Sequence, residues 1–314
     1  MARSQILLPS ALRETLEPRL PTGIAPMWVQ SATQVFDAIE HVDVAWLDLL
    51  RLEDTNSVLR RARHLKWLFT LGAGVEYLDF ELLRRNGTTL TNGSGLNATA
   101  VADYAVMGVL VSAKRFDKVL EMAKACEWST HAPGNTELDG GRALIIGMGA
   151  IGQRIADRLR AFGVRVSGVT RRGGDGLLDA QSWQAQIGMH DWVIVAAPAT
   201  AATRAVIGAR ELDAMKRTAW LINIARGDLV DQDALCAALQ EGRIGGAFLD
   251  TVSPEPLPKE HPLWRAPNCI ITMHLSGRSQ TSLLNHAQAL FLDNLDAFLH
   301  GRPLRNVVDL AAGY

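Results

Sequence analysis

Cysteine is scarce in this chain, and neither sign of charge is in excess. Its three cysteines among 314 residues, Cys126, Cys236 and Cys269, are far apart and odd in number. This pattern argues against a disulfide framework or a metal-binding spacing and favours a reducing compartment, so we expect a cytoplasmic protein that holds no metal. The 32 basic residues nearly balance the 33 acidic ones, and the net charge is −1. That balance gives no electrostatic reason to expect a nucleic acid or an anionic membrane as a partner.

Long hydrophobic runs are also missing. Charged side chains interrupt residues 1–20, which therefore lack the apolar core of a signal peptide. The most apolar helical stretch, residues 98–113, includes Asp103 and is too short to cross a bilayer. Nearly half of the residues are apolar, and the chain is long enough to bury two separate cores.

What the chain has instead is a regular alternation of strand-like and helix-like segments, typical of parallel sheets covered by helices. In the first part, strands are predicted at 6–9, 24–29, 44–49, 67–71 and 88–91, and helices at 33–39, 56–64 and 78–85. A long helical segment, 97–126, and a polar loop, 127–141, come next. Six further strands are predicted at 143–146, 164–169, 192–197, 219–224, 246–250 and 269–273, with helices at 151–162, 231–239 and 281–300.

This organisation predicts an α/β protein with two doubly wound parallel-sheet domains. The six later strands follow one another in the manner of a dinucleotide-binding domain. The last helix lies outside that count, so we expect it to return to the first domain. The predicted division is residues 1–96 with 281–314 as one domain, and residues 97–280 as the other.

Residues 142–153 are the stretch around which the chain is organised. An apolar strand leads into Gly147-x-Gly149-x-x-Gly152, and a helical pattern follows. In this context the first glycine permits the tight turn, the second lets backbone approach a pyrophosphate, and the third lets the helix pack closely on the sheet. The N-terminus of the helix offers N–H groups to the phosphates. The motif therefore favours dinucleotide binding, and the alternative is an ordinary glycine-rich turn between a strand and a helix.

The end of the second strand of this domain bears on the choice of cofactor. A cofactor without a 2′-phosphate usually meets an acidic residue there, but this chain has Thr170, Arg171 and Arg172, and the nearest acid is Asp175. Two guanidinium groups suit a phosphate. We therefore expect NADP(H) to be preferred and NAD(H) to remain possible. The alternative is that both arginines are solvated loop charges.

Three polar residues lie where predicted strands of the second domain end, the edge at which open α/β sheets bind ligands. Arg226 could present its guanidinium to a carboxylate or carbonyl, His274 could give or take a proton, and Glu255 could orient the histidine and favour its protonated form. A structural ion pair, a hydrogen-bonded structural histidine and a rigid surface loop are the respective alternatives. Together the three residues predict reduction of a carbonyl group by a nicotinamide cofactor.

The chain resembles the D-isomer-specific 2-hydroxyacid dehydrogenase family, and within it the glyoxylate/hydroxypyruvate reductase type. The resemblance rests on several segments in order along nearly the whole chain, which makes it much more specific than any one of them. These segments are Leu71-Gly-Ala-Gly-Val75, the glycine motif, 221–227, Leu249-Asp250 with 255–257, His261-Pro-Leu-Trp264, His274 and Asn306-Val-Val-Asp309. The resemblance implies a Rossmann cofactor domain inserted into a flavodoxin-like substrate domain. It also implies a homodimer formed through the Rossmann domain, to which the apolar helix starting at Ala98 would be suited.

The family pattern further implies roles for individual residues. Arg226, Glu255 and His274 would be the catalytic residues. The substrate would be bound by Gly72, Ala73, Gly74, Val75, Arg226 and His274. Its carboxylate would be held by the backbone N–H groups of residues 72–75 and by Arg226. The cofactor would be bound by Gly147, Gly149, Ala150, Ile151, Gly152, Thr170, Arg171, Arg172, Ala197, Pro198, Thr203, Ile224, Ala225, Asp250, His274, Ser276 and Gly277. The expected partner is a small 2-oxo or 2-hydroxy acid.

Three positions depart from the family pattern, and two alternatives of function stay open. Met273 occupies a position that is usually proline, Asp103 one that is often glutamate, and Thr251 one that is usually valine. The chain could instead be a non-catalytic NAD(H)-sensing protein resembling the corepressors of this fold. It could also act on another 2-hydroxy acid, such as phosphoglycerate or a bulkier aromatic compound. Trp46, Trp128 and Trp264 could line the site, although core or interface packing is the commoner role of tryptophan.

Overall fold

A computed structural model describes residues 4–48, 50, 55–75, 77–278 and 280–313. The chain divides into two compact units, the first formed by Met1–Leu96 with Thr281–Tyr314 and the second by Asn97–Gln280. Both units are α/β, and each is built on its own sheet of parallel strands. The strand predicted at 44–49 ends at Leu49, which lies outside the described residues.

The first unit contains a five-stranded parallel sheet in the order β2-β1-β3-β4-β5. This is the flavodoxin-like order of a doubly wound sheet. β1 has the predicted bounds, and the other four strands are shorter than predicted. The five strands are β1 Ile6–Pro9, β2 Met27–Val29, β3 Val44–Trp46, β4 Trp67–Phe69 and β5 Thr89–Thr91.

Helices flank this sheet and begin and end at residues suited to helix ends. The side chains of Ser31 and Asp79 accept hydrogen bonds from backbone N–H groups in the first turns that follow them, and Gly87 ends a helix in the left-handed conformation. The helices are α1 Arg13–Leu16, α2 Ala32–Ala38, α3 Thr55–Arg61, α4 Phe80–Asn86 and, near the other end of the chain, α10 Leu283–Leu299. α10 closes the core of the unit, since the ring of Phe291 stacks on that of Trp67 with centroids 5.2 Å apart.

The second unit contains an eight-stranded sheet in the order β13-β12-β11-β10-β6-β7-β9-β8. All of its pairings are parallel except that of β8 with β9. The order places β10 beside β6, so the direction of winding reverses between them, as in a Rossmann domain. The strands are β6 Arg142–Ile146, β7 Arg165–Val169, β8 Arg172–Gly174, β9 Leu177–Asp179, β10 Trp192–Val195, β11 Trp220–Asn223, β12 Gly246–Leu249 and β13 Cys269–Ile271.

The helical prediction for residues 97–126 was wrong in treating the segment as continuous. Arg115 has a φ of 48°, which ends one helix and starts the next. A Cβ on Gly134 would lie 2.4 Å from the carbonyl carbon of Lys114, so the following loop packs directly against this break. Arg115 is held there by Asp117 and by Asn268. The helices of the second unit are α5 Ala98–Lys114, α6 Phe116–Lys124, α7 Ala150–Ala161, α8 Ala209–Ala214 and α9 Gln232–Gln240.

Most apolar residues of α5 are buried inside the second unit, where the helix packs on α7 and β11. In contrast, α6 has no buried residue, and Phe116 and Leu120 on it are about half exposed. Asp103 of α5 pairs with Arg158 at 2.7 Å, so the departure from glutamate keeps a carboxylate that reaches α7. Within the described part of the chain no helix is both long and apolar enough to cross a membrane.

Candidate active site

The glycine motif forms a tight turn between β6 and α7. Gly147 has a φ of 105°, and a Cβ on it would lie 2.6 Å from the backbone of Ala196. A Cβ on Gly152 would lie 2.0 Å from the carbonyl oxygen of Gly147. Only glycine fits either position, because the first needs a left-handed backbone and both touch main chain. The turn therefore holds the first residues of α7 against the end of β6.

The start of α7 suits the phosphates of a dinucleotide. Gly149 precedes the helix and carries no side chain that could cap it, and a Cβ at this position would meet nothing within 4 Å. Gly149 and Ala150 are exposed, and Ile151 is half-buried. The helix thus starts at exposed residues without a side-chain cap, and its first N–H groups suit phosphate binding. These residues fit a nicotinamide dinucleotide.

The second strand of the second unit leads into a β-hairpin. Thr170 follows β7, and its hydroxyl accepts a hydrogen bond from the N–H of Gly173. Arg172 starts β8, and Asp175 and Gly176 form a two-residue turn with positive φ at both positions, which matches a type I′ hairpin. Arg171 and Arg172 are exposed, and in the described structure neither forms an ion pair.

The loop after β10 also lies at the glycine turn. Ala197 is buried, Pro198 is exposed, and the packing of Gly147 on Ala196 brings this segment to the start of the motif. The hydroxyl of Thr203 donates a hydrogen bond to the carbonyl of Pro198 at 2.7 Å and accepts one from the N–H of Thr200. The predicted cofactor residues of this loop are therefore adjacent to the glycine motif.

Arg226 follows β11, and buried residues fix the segment that carries it. Ile224 and Ala225 are buried, and the side chain of Asn223 accepts the N–H of Ala225 and donates to the carbonyl of Arg226. Asn223 was missed in the sequence reasoning. Its signal was a polar residue inside an apolar strand, because a buried amide must find hydrogen-bond partners in its surroundings.

The loop that carries Glu255 packs against the same strand end. A Cβ on Gly227 would lie 2.0 Å from the carbonyl carbon of Val252, so the segment after Arg226 touches the loop after β12. The side chain of Gln232 on α9 bonds both the N–H and the carbonyl of Ser253. The N–H of Val252 donates to one oxygen of Glu255 at 3.2 Å. These contacts hold the carboxylate of Glu255 in place.

His274 and Glu255 meet directly. The Nδ1 atom of His274 lies 2.7 Å from the second oxygen of Glu255, and each side chain is about one-third exposed. Since Nδ1 faces the carboxylate, Nε2 is left to act on a ligand, and it has no hydrogen-bond partner among the described residues. The carboxylate of Glu255 therefore fixes the orientation of the imidazole ring.

Asp250 builds the turn that presents His274. Its side chain is fully buried and accepts hydrogen bonds from the hydroxyl of Thr272 at 2.6 Å and from the N–H groups of Leu275 and Ser276. Its own carbonyl accepts the N–H of His274 at 2.6 Å. Ser276 is buried and Gly277 is half-buried directly after this turn. Met273, with a φ of 50°, has a backbone that proline cannot adopt, which accounts for the departure at this position.

In the first unit, residues 72–75 form a loop directly after β4. The side chain of Asn92 donates to the carbonyl of Ala73 at 2.8 Å, and Gly93 donates to the carbonyl of Gly72. Val75 is buried, whereas Ala73 is exposed. Within the described residues, the N–H groups of Ala73, Gly74 and Val75 donate to no acceptor. A run of such N–H groups suits a carboxylate.

The three tryptophans have different environments. Trp46 is fully buried between the rings of Phe69 and Phe291, as expected of a core residue. Trp128 is 96% exposed, and Trp264 is 41% exposed with its indole N–H bonded to the carbonyl of Pro258. None of the three contacts the His274–Glu255 pair in the hydrogen bonds of the described structure.

The fold and this geometry define a dinucleotide-binding α/β protein with a histidine–carboxylate pair at the carboxyl edge of its Rossmann sheet. Comparison with known proteins is specific. Residues 106–276 match the family described as D-isomer specific 2-hydroxyacid dehydrogenase, NAD binding domain. The human glyoxylate reductase/hydroxypyruvate reductase is 34% identical over 79% of this chain and 78% of its own length.

Solved structures agree with this match. A family protein from Aeromonas salmonicida is 26% identical, with 98% of this chain and all of that chain covered and a TM-score of 0.87. An NADPH-dependent glyoxylate/hydroxypyruvate reductase from Sinorhizobium meliloti, in complex with NADP and sulfate, is 25% identical with a TM-score of 0.82, covering 99% and 100%. The chain belongs to the D-isomer specific 2-hydroxyacid dehydrogenase family. It is an NAD(P)-dependent enzyme of that family.

Proposed function

We propose that this enzyme reduces a small 2-oxo acid of the glyoxylate or hydroxypyruvate type to the D-2-hydroxy acid, with NADPH as the preferred cofactor. The observation that carries the proposal is the contact between His274 and Glu255 at 2.7 Å. A fixed imidazole is the group that carbonyl reduction needs, because the oxygen of the product alcohol must receive a proton. The names of the relatives supply the substrate type.

In the proposed reaction His274 gives the proton from Nε2 to the carbonyl oxygen of the substrate. A nicotinamide cofactor held at the glycine turn would supply the hydride. Glu255 accepts the Nδ1–H hydrogen bond, which holds the ring in one orientation and stabilises its positive charge before the transfer. Asp250 keeps the backbone turn of His274 in place through its buried hydrogen bonds.

Arg226 is proposed to bind the carboxylate and polarise the reacting carbonyl, as a guanidinium can do with two parallel donors. Residues 72–75 are proposed to bind a substrate carboxylate through their backbone N–H groups. The first unit is accordingly proposed as the substrate domain and the second as the cofactor domain. The cofactor would be held by the glycine turn, residues 170–172, the loop at 197–203, Ile224, Ala225, Asp250 and the turn from His274 to Gly277.

The preference for NADPH rests on Arg171 and Arg172. Both are exposed, and neither forms an ion pair among the described residues. A double Arg171→Ala/Arg172→Ala variant should raise KM for NADPH about tenfold or more and leave KM for NADH within about twofold. Arg165→Ala is the matched control, since this exposed arginine lies at the opposite end of β7. Equal changes in KM for NADPH and NADH would contradict the proposal that these arginines set the preference for NADPH.

The reaction is tested by following reduced-nicotinamide absorbance with glyoxylate, hydroxypyruvate, pyruvate and phenylpyruvate. His274→Asn should lower kcat at least about 100-fold, because it removes the proton donor. His300→Asn is the matched control, because His300 also pairs with a carboxylate, Asp296 at 3.1 Å, but on α10. Cofactor binding without turnover of any 2-oxo acid would favour the NAD(H)-sensing alternative. Turnover of only phenylpyruvate would favour a dehydrogenase of bulkier acids.

We also propose that the enzyme is a homodimer in the cytoplasm. The expected contact helix, α5, has its apolar residues covered within its own unit, so an interface would instead use the exposed side chains of Phe116, Leu120 and Trp128. Leu120→Glu should convert a dimer into a monomer in light scattering. Phe162→Glu, an equally exposed apolar position at the end of α7, should not. A wild-type monomer would refute the assignment.

A further inference from the structure

A carboxylate lies beside the glycine loop of the first unit. Asp48 follows β3, and its Oδ2 accepts a hydrogen bond from the N–H of Leu71 at 2.8 Å. Its Oδ1 accepts one from the hydroxyl of Thr70. Leu71 directly precedes Gly72, and the Thr70 hydroxyl oxygen lies 3.9 Å from the position that a Cβ on Gly72 would occupy. Asp48 is therefore hydrogen-bonded to the two residues that directly precede the loop at residues 72–75.

The surroundings of Asp48 keep this acceptor available. The residue is exposed, yet nearby protein removes part of the hydration of its carboxyl group and raises its pKa, while the hydrogen bonds from Thr70 and Leu71 act in the opposite direction. In the described part of the chain no cation pairs with it. The hydroxyl of Tyr77 lies 3.4 Å from that of Thr70 and extends the polar group. The backbone N–H of Asp48 itself also acts on the carboxyl group, and a carboxylate has about four acceptor sites, so these three donors leave room for one more.

We infer that Asp48 is a specificity-determining residue that accepts a hydrogen bond from a donor group on the substrate side chain and disfavours substrates with a second anionic group. This inference rests on the proposed function, because it takes the substrate carboxylate to be held at residues 72–75. A carboxylate bound there places the rest of a small 2-oxo acid close to Asp48. A hydroxyl group on C3 of the substrate can then donate a hydrogen bond to Asp48, whereas a methyl group at C3 cannot.

The negative charge of Asp48 should also disfavour substrates that carry a second anionic group. A phosphate or carboxylate on C3 of the substrate would lie near the negative charge of Asp48. Two neighbouring like charges repel enough to lower binding about tenfold or more, and less at high salt. The enzyme should therefore prefer hydroxypyruvate to pyruvate modestly, and to phosphorylated hydroxypyruvate or oxaloacetate strongly.

The test is a comparison of kcat/KM for glyoxylate, pyruvate, hydroxypyruvate and phosphorylated hydroxypyruvate in the wild type and in Asp48→Asn. Asparagine keeps the shape and one acceptor oxygen but removes the charge. Asp43→Asn is the matched control, because Asp43 precedes the same strand at its opposite end, where it pairs with Lys66 at 2.8 Å. Thermal melting reports whether each variant is folded.

We expect Asp48→Asn to raise the ratio of kcat/KM for phosphorylated hydroxypyruvate to kcat/KM for hydroxypyruvate about tenfold. Its kcat/KM for glyoxylate should stay within about twofold of the wild-type value. Asp43→Asn should leave the ratio unchanged. A wild type that uses the phosphorylated substrate as well as hydroxypyruvate would overturn the inference, as would a common loss of all activities in folded Asp48→Asn. If Asp48→Asn does not fold, the wild-type ratio of kcat/KM for phosphorylated hydroxypyruvate to that for hydroxypyruvate alone tests the inference. No reduction of glyoxylate or hydroxypyruvate by the wild type would instead refute the proposed function, and this inference with it.

Discussion

Thr251 carries a buried hydroxyl that has no hydrogen-bond partner among the described residues. The residue is 1% exposed and follows Asp250 at the end of β12. A buried polar group without a partner costs about 1–3 kcal/mol of folding free energy. Thr251→Val replaces the hydroxyl with a methyl of similar shape. We expect the free energy of unfolding to rise by about 1 kcal/mol, or the melting temperature by about 2–4 °C.

Thr91 provides the matched control. It is also fully buried at a strand end, but its hydroxyl oxygen accepts a hydrogen bond from the indole N–H of Trp67 at 2.8 Å. Thr91→Val leaves that buried N–H without an acceptor, so it should lower the free energy of unfolding by about 1–3 kcal/mol. The same chemical change is therefore predicted to have opposite signs at the two positions.

The assay is urea unfolding of both variants beside the wild type, with calorimetry to detect whether the two units unfold separately. If they do, Thr251→Val should shift the transition of the second unit and Thr91→Val that of the first. A loss of stability in Thr251→Val comparable to that in Thr91→Val would refute the reasoning. It would mean that the Thr251 hydroxyl has a partner, such as a buried water, in the folded protein.

Two further predictions concern the glycine turn and a buried histidine. Gly152→Ala should destabilise the protein by about 2 kcal/mol and abolish NADPH-induced stabilisation in thermal melts, because its Cβ would lie 2.0 Å from the Gly147 carbonyl oxygen. Gly149→Ala, which meets open space, should keep the unliganded stability and lose only the cofactor effect; equal losses in both variants would contradict this. Burial lowers the pKa of His190 below its usual 6.5, so the folded state binds this proton less readily than the unfolded state. The free energy of unfolding should therefore fall as pH drops below about 6.5, and less so in His190→Gln, whereas parallel pH profiles would exclude His190 as a cause.

The sequence predicted most strands and helices correctly but predicted their ends less accurately. Most predicted strands and helices occur close to the predicted positions, because apolar periodicity reflects burial in a sheet or under a helix. The helical prediction at 97–126 failed at Arg115, since no local signal shows that a loop containing Gly134 packs against this point. The hairpin after β7 was missed although Asp175-Gly176 is a common hairpin turn, because its two strands are only three residues long.

Some residues of the candidate site could also be predicted from the sequence, and others could not. The glycine turn was predictable because each glycine answers a local backbone requirement. Gln232 and Asp48 were not predictable, since each acts on a segment distant from its own position in the sequence. Such contacts depend on how strands are ordered in the sheet, which periodicity does not specify.

The sequence by itself determined the α/β class, the dinucleotide motif and the family, because each depends on residue types at fixed spacing along the chain. Only the tertiary structure decided that Glu255 meets His274 at 2.7 Å and that buried Asp250 shapes the histidine turn. It also decided that the Thr251 hydroxyl has no partner among the described residues. The physical reason is that hydrogen bonds and burial are properties of distances between atoms. Those distances arise where neighbouring parallel strands end at one edge of the sheet and bring residues remote in sequence together.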